Sequence, residues 1–301
     1  MSQVAEARVV VSRGETGAIL LVVLSSLLFA VGYALAKRLV TDYGLTAPQL
    51  TFLRCALVVF GAALVGPVLP GLDLSARRVL RPARAWEQRG AAALLVVSNA
   101  LSVIGYALLP VTEATAIGFT TPLLLAALAA LVLRERVSAT HWAAVLIGFV
   151  GMLLVVRPGG AGFAGVGALA SLGAALAYAV YQVLIRRLRA VAGAADTVVQ
   201  VGLAGIVILG GFMVTMWHPL SLRAALLVLT FTALVTGGLA AIAAAIRRGA
   251  AARLAPWQYS GLIWAMLLDV GMFGRLPSGV ALAGAALIAL GGILSSRSPA
   301  E

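Results

Sequence analysis

Polar side chains are scarce along this chain, and those that interrupt its apolar runs fall on helical stripes. Ser26, Tyr33 and Lys37 follow one another at spacings of seven and four, which places them on one face of a helix. Ser171, Tyr178 and Gln182 repeat that arrangement, with Tyr181 beside them. Asn99, Ser102 and Tyr106 make a third stripe at spacings of three and four. A fourth group is Thr115, Phe119, Thr120 and Thr121, just before Pro122, which frees a carbonyl near Gly118 for the threonine hydroxyls to bond. Trp257, Ser260 and Trp264 share a fifth face, with Tyr259 among them. Hydroxyls, amides and aromatic rings in this density suit the binding of a neutral or zwitterionic organic molecule with a planar part.

The same inventory argues against an enzyme. A lone cysteine, Cys55, excludes an intrachain disulfide, and His141 and His218 lie far apart, so neither a metal site nor a cofactor is expected. The sole lysine, Lys37, is read at the end of an apolar run, and no His-Asp or Ser-Lys pair falls inside one. Each stripe also has a plainer reading. A Ser or Thr in an apolar helix serves packing or interhelical hydrogen bonds as well as a ligand, and Trp257 and Tyr259 suit an interfacial aromatic belt. Gln182 and Asn99 stand out because a buried amide without a partner is costly. Arg54 either extends to the outer surface or supplies a counter-charge to an anionic ligand group or to Glu113.

The elements that position these residues follow from composition. Hydrophobic residues are 62% of the chain, charged residues 11%, and mean hydropathy is +1.07. Too few polar groups exist to cover a water-soluble surface, so the chain is an all-α polytopic membrane protein with the lipid bilayer as partner. Ten spans are expected, at 16–36, 47–69, 90–110, 113–133, 139–157, 164–185, 195–216, 222–246, 251–273 and 278–296. The net charge of +12 reports membrane orientation rather than nucleic-acid binding, because the basic residues lie between the apolar runs. With the N-terminus cytoplasmic, sixteen of the 22 basic residues fall on the inner side, so both termini are expected there. The Arg, Ala and Gly bias points to a bacterial inner membrane. The basic start followed by Ala34-Leu35-Ala36 imitates a signal peptide, but an internal copy of this segment makes it part of the fold.

That copy is the main organising feature. Phe29 to Leu39 returns as Tyr178 to Leu188 at a constant offset of 149, each apolar and each ending in a basic pair. Gly151, Leu153 and Phe119 meet Gly291, Ile293 and Tyr259 at a second offset of 140. The chain therefore divides into residues 1–160 and 161–301. Five spans in each half invert the second copy, so Lys37-Arg38 lies outside and Arg186-Arg187 inside. Two inverted five-helix repeats are a frequent plan for secondary transporters. Small residues in spans five and ten, Ala144 and Gly148 with Ala281, Ala285 and Ala289, permit close packing between the halves or a homodimer contact; monomer and homodimer both remain open.

Several motifs in order carry a family resemblance. They are Leu53-Arg54; Leu109-Pro110-Val111 through Ala114-Thr115-Ala116 to Thr121-Pro122-Leu123; Leu133-Arg134-Glu135-Arg136; and Gly148 and Gly151 in a helix ending at Arg157-Pro158. The second half adds Ala177-Tyr178-Ala179, Ala255-Pro256-Trp257-Gln258-Tyr259, and Phe273-Gly274 through Leu276-Pro277 into Gly291-Gly292. Together they resemble the drug/metabolite transporter superfamily in its ten-helix EamA-type branch, over nearly the whole chain. The resemblance implies a carrier of small organic metabolites that works by alternating access, with a cavity built from spans 1, 3, 4, 6, 8 and 9. Amino acids, vitamins and nucleoside-type metabolites are the implied substrates; Leu109 to Leu125 is similar to bacterial S-adenosylmethionine and riboflavin uptake carriers. Relatives also export drugs, which makes a multidrug exporter the alternative, ahead of a channel or an intramembrane enzyme. One departure is Arg275, where the family often has a second Glu.

Overall fold

The computed structural model describes residues 13–65, 84–132, 139–156, 163–188, 194–248, 254 and 257–297. Among these residues every extended element is helical and no strand occurs. In chain order they are α1 (Arg13–Thr41), α2 (Ala47–Val65), α3 (Ala85–Leu108), α4 (Val111–Gly118), α5 (Thr121–Val132) and α6 (Ala139–Val156), followed by α7 (Phe163–Leu188), α8 (Ala194–Gly210), α9 (Met213–Met216), α10 (Leu222–Arg248), α11 (Ser260–Phe273) and α12 (Gly279–Arg297). The loop arginines 77, 78 and 81, the Arg134-Glu135-Arg136 connection, Arg157-Pro158, Arg189, Arg253 and Ala255-Pro256 lie outside the described residues.

Leu-, Val- and Ala-rich runs become helices here because hydrocarbon offers the backbone no partner, and a helix pairs its own amides and carbonyls. Five helices are long and apolar enough to cross a membrane: Thr16–Thr41, Ala47–Leu64, Ala85–Leu108, Gly165–Leu188 and Leu222–Arg248. Five more are apolar but shorter, at 10–17 residues: Val111–Leu125, Trp142–Leu154, Thr197–Gly210, Ser260–Phe273 and Gly279–Leu294. The protein is thus a multi-pass membrane protein. Large apolar side chains such as Leu20, Phe60, Leu146, Leu169 and Val207 stay exposed on its outer faces, as a hydrocarbon-facing surface requires.

The expected span at 113–133 is not continuous. It starts two residues earlier and breaks at Phe119-Thr120 into α4 and α5. Pro122 is tolerated because it falls in the first turn of α5, where its missing N–H costs nothing. The freed Gly118 carbonyl is met as the sequence implied, by Thr121 Oγ1 donating at 2.8 Å, and Thr120 Oγ1 donates to Ile117 O at 2.6 Å beside it.

The helices pair antiparallel and in depth. Along α1 and α10, Ala18 and Val22 pack near Ala245, Ser25 donates to Gly238 O at 2.8 Å, and Leu39 packs near Val228 and Ala224. Along α3 and α7, Ser98 donates to Ala174 O at 2.9 Å and Gly105 lies against Ser171 and Gly167. α2 runs along α8 through Cys55 and Gly205. Near their crossing, α6 and α12 meet backbone to backbone: a Cβ on Gly151 would lie 2.6 Å from Gly284 O, and one on Gly291 would lie 2.7 Å from Ala144 O. One end of the bundle therefore gathers the C-terminal ends of α1, α3 and α11 and the N-terminal ends of α2, α4 and α10; we refer to it as the Lys37 end.

The Gly291 contact leaves no space for a side chain, whereas Gly271 has nothing within 4 Å. Gly291→Val is expected to lower the melting temperature in detergent by several degrees, since overpacking costs about 1–3 kcal/mol. Gly271→Ala is expected to leave it unchanged or raise it; equal melting temperatures for the two variants would refute the close α6–α12 contact.

Candidate functional site

The stripes on α1, α3 and α7 converge. Tyr33 on α1 stacks on Tyr106 of α3, with ring centroids 4.4 Å apart and planes within 10°. Phe231 of α10 meets Tyr33 edge-on at 6.4 Å. Tyr106 and Thr115 of α4 share a hydrogen bond of 3.1 Å. Tyr178 of α7 stands within electrostatic reach of Tyr33 and stacks with Tyr181, centroids 5.8 Å apart. Tyr178 lies on the opposite side of α7 from the outward Leu169 and Leu176, yet it is 37% exposed. Of the stripe residues on α1, α3 and α7, Tyr178 keeps the most open surface.

Tyr33 Oη, Asn99, Ser102, Tyr181 Oη and Gln182 make no hydrogen bond among the described residues, and none of their polar atoms is orphaned in the packed interior. Their neighbours behave differently. Ser98, one residue from Asn99, is buried and spent on the Ala174 carbonyl, and Ser171 packs against Gly105. So α3 uses its α7-facing side for packing and leaves the adjoining Asn99 and Ser102 without a hydrogen bond among the described residues. In a membrane bundle such groups need water or a ligand.

The remaining expected residues are placed as follows. Thr120 and Thr121 are buried, with their hydroxyl protons committed to the helix break. Tyr259 meets Phe119 at 4.9 Å between ring centroids, so the two aromatic residues related by the 140 offset touch each other. Beneath them Ser26 and Ser260 share a 2.6 Å hydrogen bond. Trp257 is exposed, and Trp264 is half-buried with its indole N–H buried and without a partner. Arg54 Nε is likewise buried and unpartnered. Its neighbour Cys55 packs under Gly205 beside Val96, which puts Arg54 at about the depth of the Asn99 stripe. Glu113 stands within electrostatic reach of Lys37.

The sequence reading placed Lys37 at the outer end of its span; it lies near the C-terminal end of α1, and its side chain is buried there. Lys37 is only 5% exposed, while Arg38 beside it is the exposed member of the pair. Lys37 Nζ donates to the Leu109 carbonyl and lies 5.2 Å from the Phe273 ring centroid. Asp269, 1% exposed, accepts from the backbone N–H of Val111 and of Thr112, each at 2.7 Å. The α3–α4 turn is thus gripped from two helices, its carbonyl by a cation and its amides by an anion. The carboxylate also meets the positive end of the α4 dipole. Charge-assisted bonds of this kind contribute about 1.5–3 kcal/mol each. Gly274, in the left-handed region at φ 61°, ends α11 just past Phe273 and keeps that ring beneath Lys37. The available signal was a solitary lysine four residues from Tyr33 and a solitary acid in an apolar run; a charge held within a span needs a partner.

Residues 16–157 match the family described as the EamA-like transporter family. The first half of the chain is an EamA-like domain of the drug/metabolite transporter superfamily. The EamA-like half contains Tyr33, Lys37, Asn99, Ser102, Tyr106 and the broken α4–α5 helix, so the match covers the polar stripes of α1 and α3. A solved crystal structure shares the fold at a TM-score of 0.56 and 22% identity, aligned over 93% of this chain and 96% of that one. No curated protein matches the chain.

Open cleft groups and packed groups separate experimentally. Asn99→Leu and Gln182→Leu break no described hydrogen bond and are expected to keep the wild-type melting temperature. Ser98→Ala leaves the buried Ala174 carbonyl without that partner and is expected to cost about 1 kcal/mol. Destabilisation by the first two comparable to the third would place Asn99 and Gln182 in the packed interior.

Proposed function

We propose that the protein is a secondary transporter that moves a small organic metabolite across the bacterial inner membrane by alternating access, and not an enzyme. The observation that carries this reading is the set of unpaired phenols, amides and a hydroxyl on the inward stripes of α1, α3 and α7. In an EamA-like transporter a solvated polar cleft is where cargo binds. The facing tyrosines and Phe231 favour a planar group on the cargo, and Asn99, Ser102 and Gln182 supply donors and acceptors for a neutral or zwitterionic part. Amino acids, vitamins and nucleoside-type metabolites such as S-adenosylmethionine fit this chemistry. The aromatic content also favours a second reading, export of toxic planar compounds.

Two inverted five-helix repeats, meeting near residue 160, are part of the proposal. Helix pairing supports them: exchanging the halves turns the α1–α10 pair into the α7–α3 pair and maps α6–α12 onto itself. Phe119 and Tyr259, like Gly151 and Gly291, then occupy equivalent positions, and each touches the other's helix or ring. Cytoplasmic termini are supported by Arg84, Arg89, Arg186, Arg187, Arg247 and Arg248, all at the end of the bundle away from Lys37. Arg54 is proposed as a charge partner for an anionic cargo group.

Flux into proteoliposomes tests this reading. Saturable uptake of at least one compound from a panel of amino acids, vitamins, nucleosides and organic anions, stimulated by counterflow, is expected; flux without saturation would indicate a channel, and none at all would count against transport. Tyr178→Ala and Gln182→Leu are each expected to abolish flux with normal expression, and unchanged flux in both would remove α7 from the site. For an anionic cargo, Arg54→Gln is expected to raise KM about tenfold or more, as loss of a charged hydrogen bond should.

A further inference from the structure

Resting on the carrier reading, we infer that Lys37 and Asp269 form the latch that holds the cleft shut at one end, by gripping the α3–α4 turn. The described contacts that join α1 and α11 to α3 and α4 run from the middle of the bundle to the Lys37 end. Phe119 against Tyr259 and Gly261 is the deepest of them. The Tyr33–Tyr106 stack, Lys37 on Leu109 and Asp269 on Val111 and Thr112 lie above it. Toward the opposite end the described partners change. There Ala18 and Val22 of α1 pack on Ala245 of α10 and on Leu254, while Gln88 and Ala92 of α3 lie beside Ile185 of α7 and Thr197 and Gln200 of α8. Tyr178, on the other side of α7 from Leu169 and Leu176, keeps 37% of its surface exposed. Among the described residues, the contacts that cross between the two groups of helices thus gather at the Lys37 end.

A closed end that must later open needs bonds that exist in one state only, because only such bonds shift the balance between states. The Lys37 and Asp269 bonds have that character. Both side chains are buried, and both reach across from α1 or α11 to a backbone turn on the other group. Moving that turn away would return all the participating groups to water at the membrane surface, so they stabilise the closed end without blocking the alternative. The apolar contacts around them, Ala34, Val111, Ala265 and Phe273, pack closely but carry no directional bond that would fix the turn's position.

Thiol labelling in oriented membrane vesicles tests the latch without any substrate. In a Cys55→Ser background, Ser102→Cys reports from within the cleft, and a membrane-impermeant maleimide is applied from one side at a time. With Lys37 and Asp269 intact, labelling from the Lys37 end is expected to be slow and labelling from the opposite end fast. Lys37→Met and Asp269→Asn, each verified as folded by melting temperature, are expected to speed labelling from the Lys37 end about tenfold and to slow it from the other end. General loosening would speed both. Rates unchanged from both ends, or raised from both, in either folded variant would overturn the latch; Asp269→Asn carries the test if Lys37→Met does not fold. Absent flux alongside the reciprocal labelling change would tell against cargo transport while leaving the latch in place.

Discussion

Hydrocarbon offers no hydrogen bonds, and that constraint organises the molecule. Each backbone amide and carbonyl inside the bilayer must be paired by the chain itself, which is why the apolar runs become helices and why the irregular stretches are so closely managed. At the α4–α5 break two threonine hydroxyls take up the carbonyls of Ile117 and Gly118. At the α3–α4 turn the backbone is met by the two buried charges, Lys37 and Asp269. Where helix geometry lapses, a polar side chain has been placed to repair it.

Polar groups without such a partner acquire meaning against this background. Ser98 and Asn99 are adjacent in sequence, yet one is consumed in packing and the other is open. Close approach of α3 and α7 at Gly105 turns the first against its neighbour, while the second makes no hydrogen bond among the described residues. Small residues draw α3 to α7 and α6 to α12, and larger aromatic rings hold α1, α3 and α10 apart around Tyr33.

Much of this was legible in the chain. Hydropathy marked the membrane-crossing character, and spacing placed Tyr33, Asn99, Tyr106, Tyr178 and Gln182 on helical stripes. Pro122 with its preceding threonines announced a local repair, although one span rather than two helices was expected there. Lys37 was read at a span end, and the basic pair gave no sign that Lys37 would be buried while Arg38 stays exposed. The pairing of Phe119 with Tyr259 was visible only as an arithmetic offset, with nothing to say that the two rings touch.

What the sequence determined by itself was local: which segments are apolar, which residues share a helical face, and which segments echo each other. These follow from composition and the 3.6-residue period, and neither needs knowledge of neighbours. Only the tertiary structure decided which faces meet. It alone brought Lys37 and Asp269, from near opposite ends of the chain, onto one turn, and it alone separated open stripes from packed ones. Such pairings depend on interhelical distance and side-chain direction, quantities that a one-dimensional pattern does not contain.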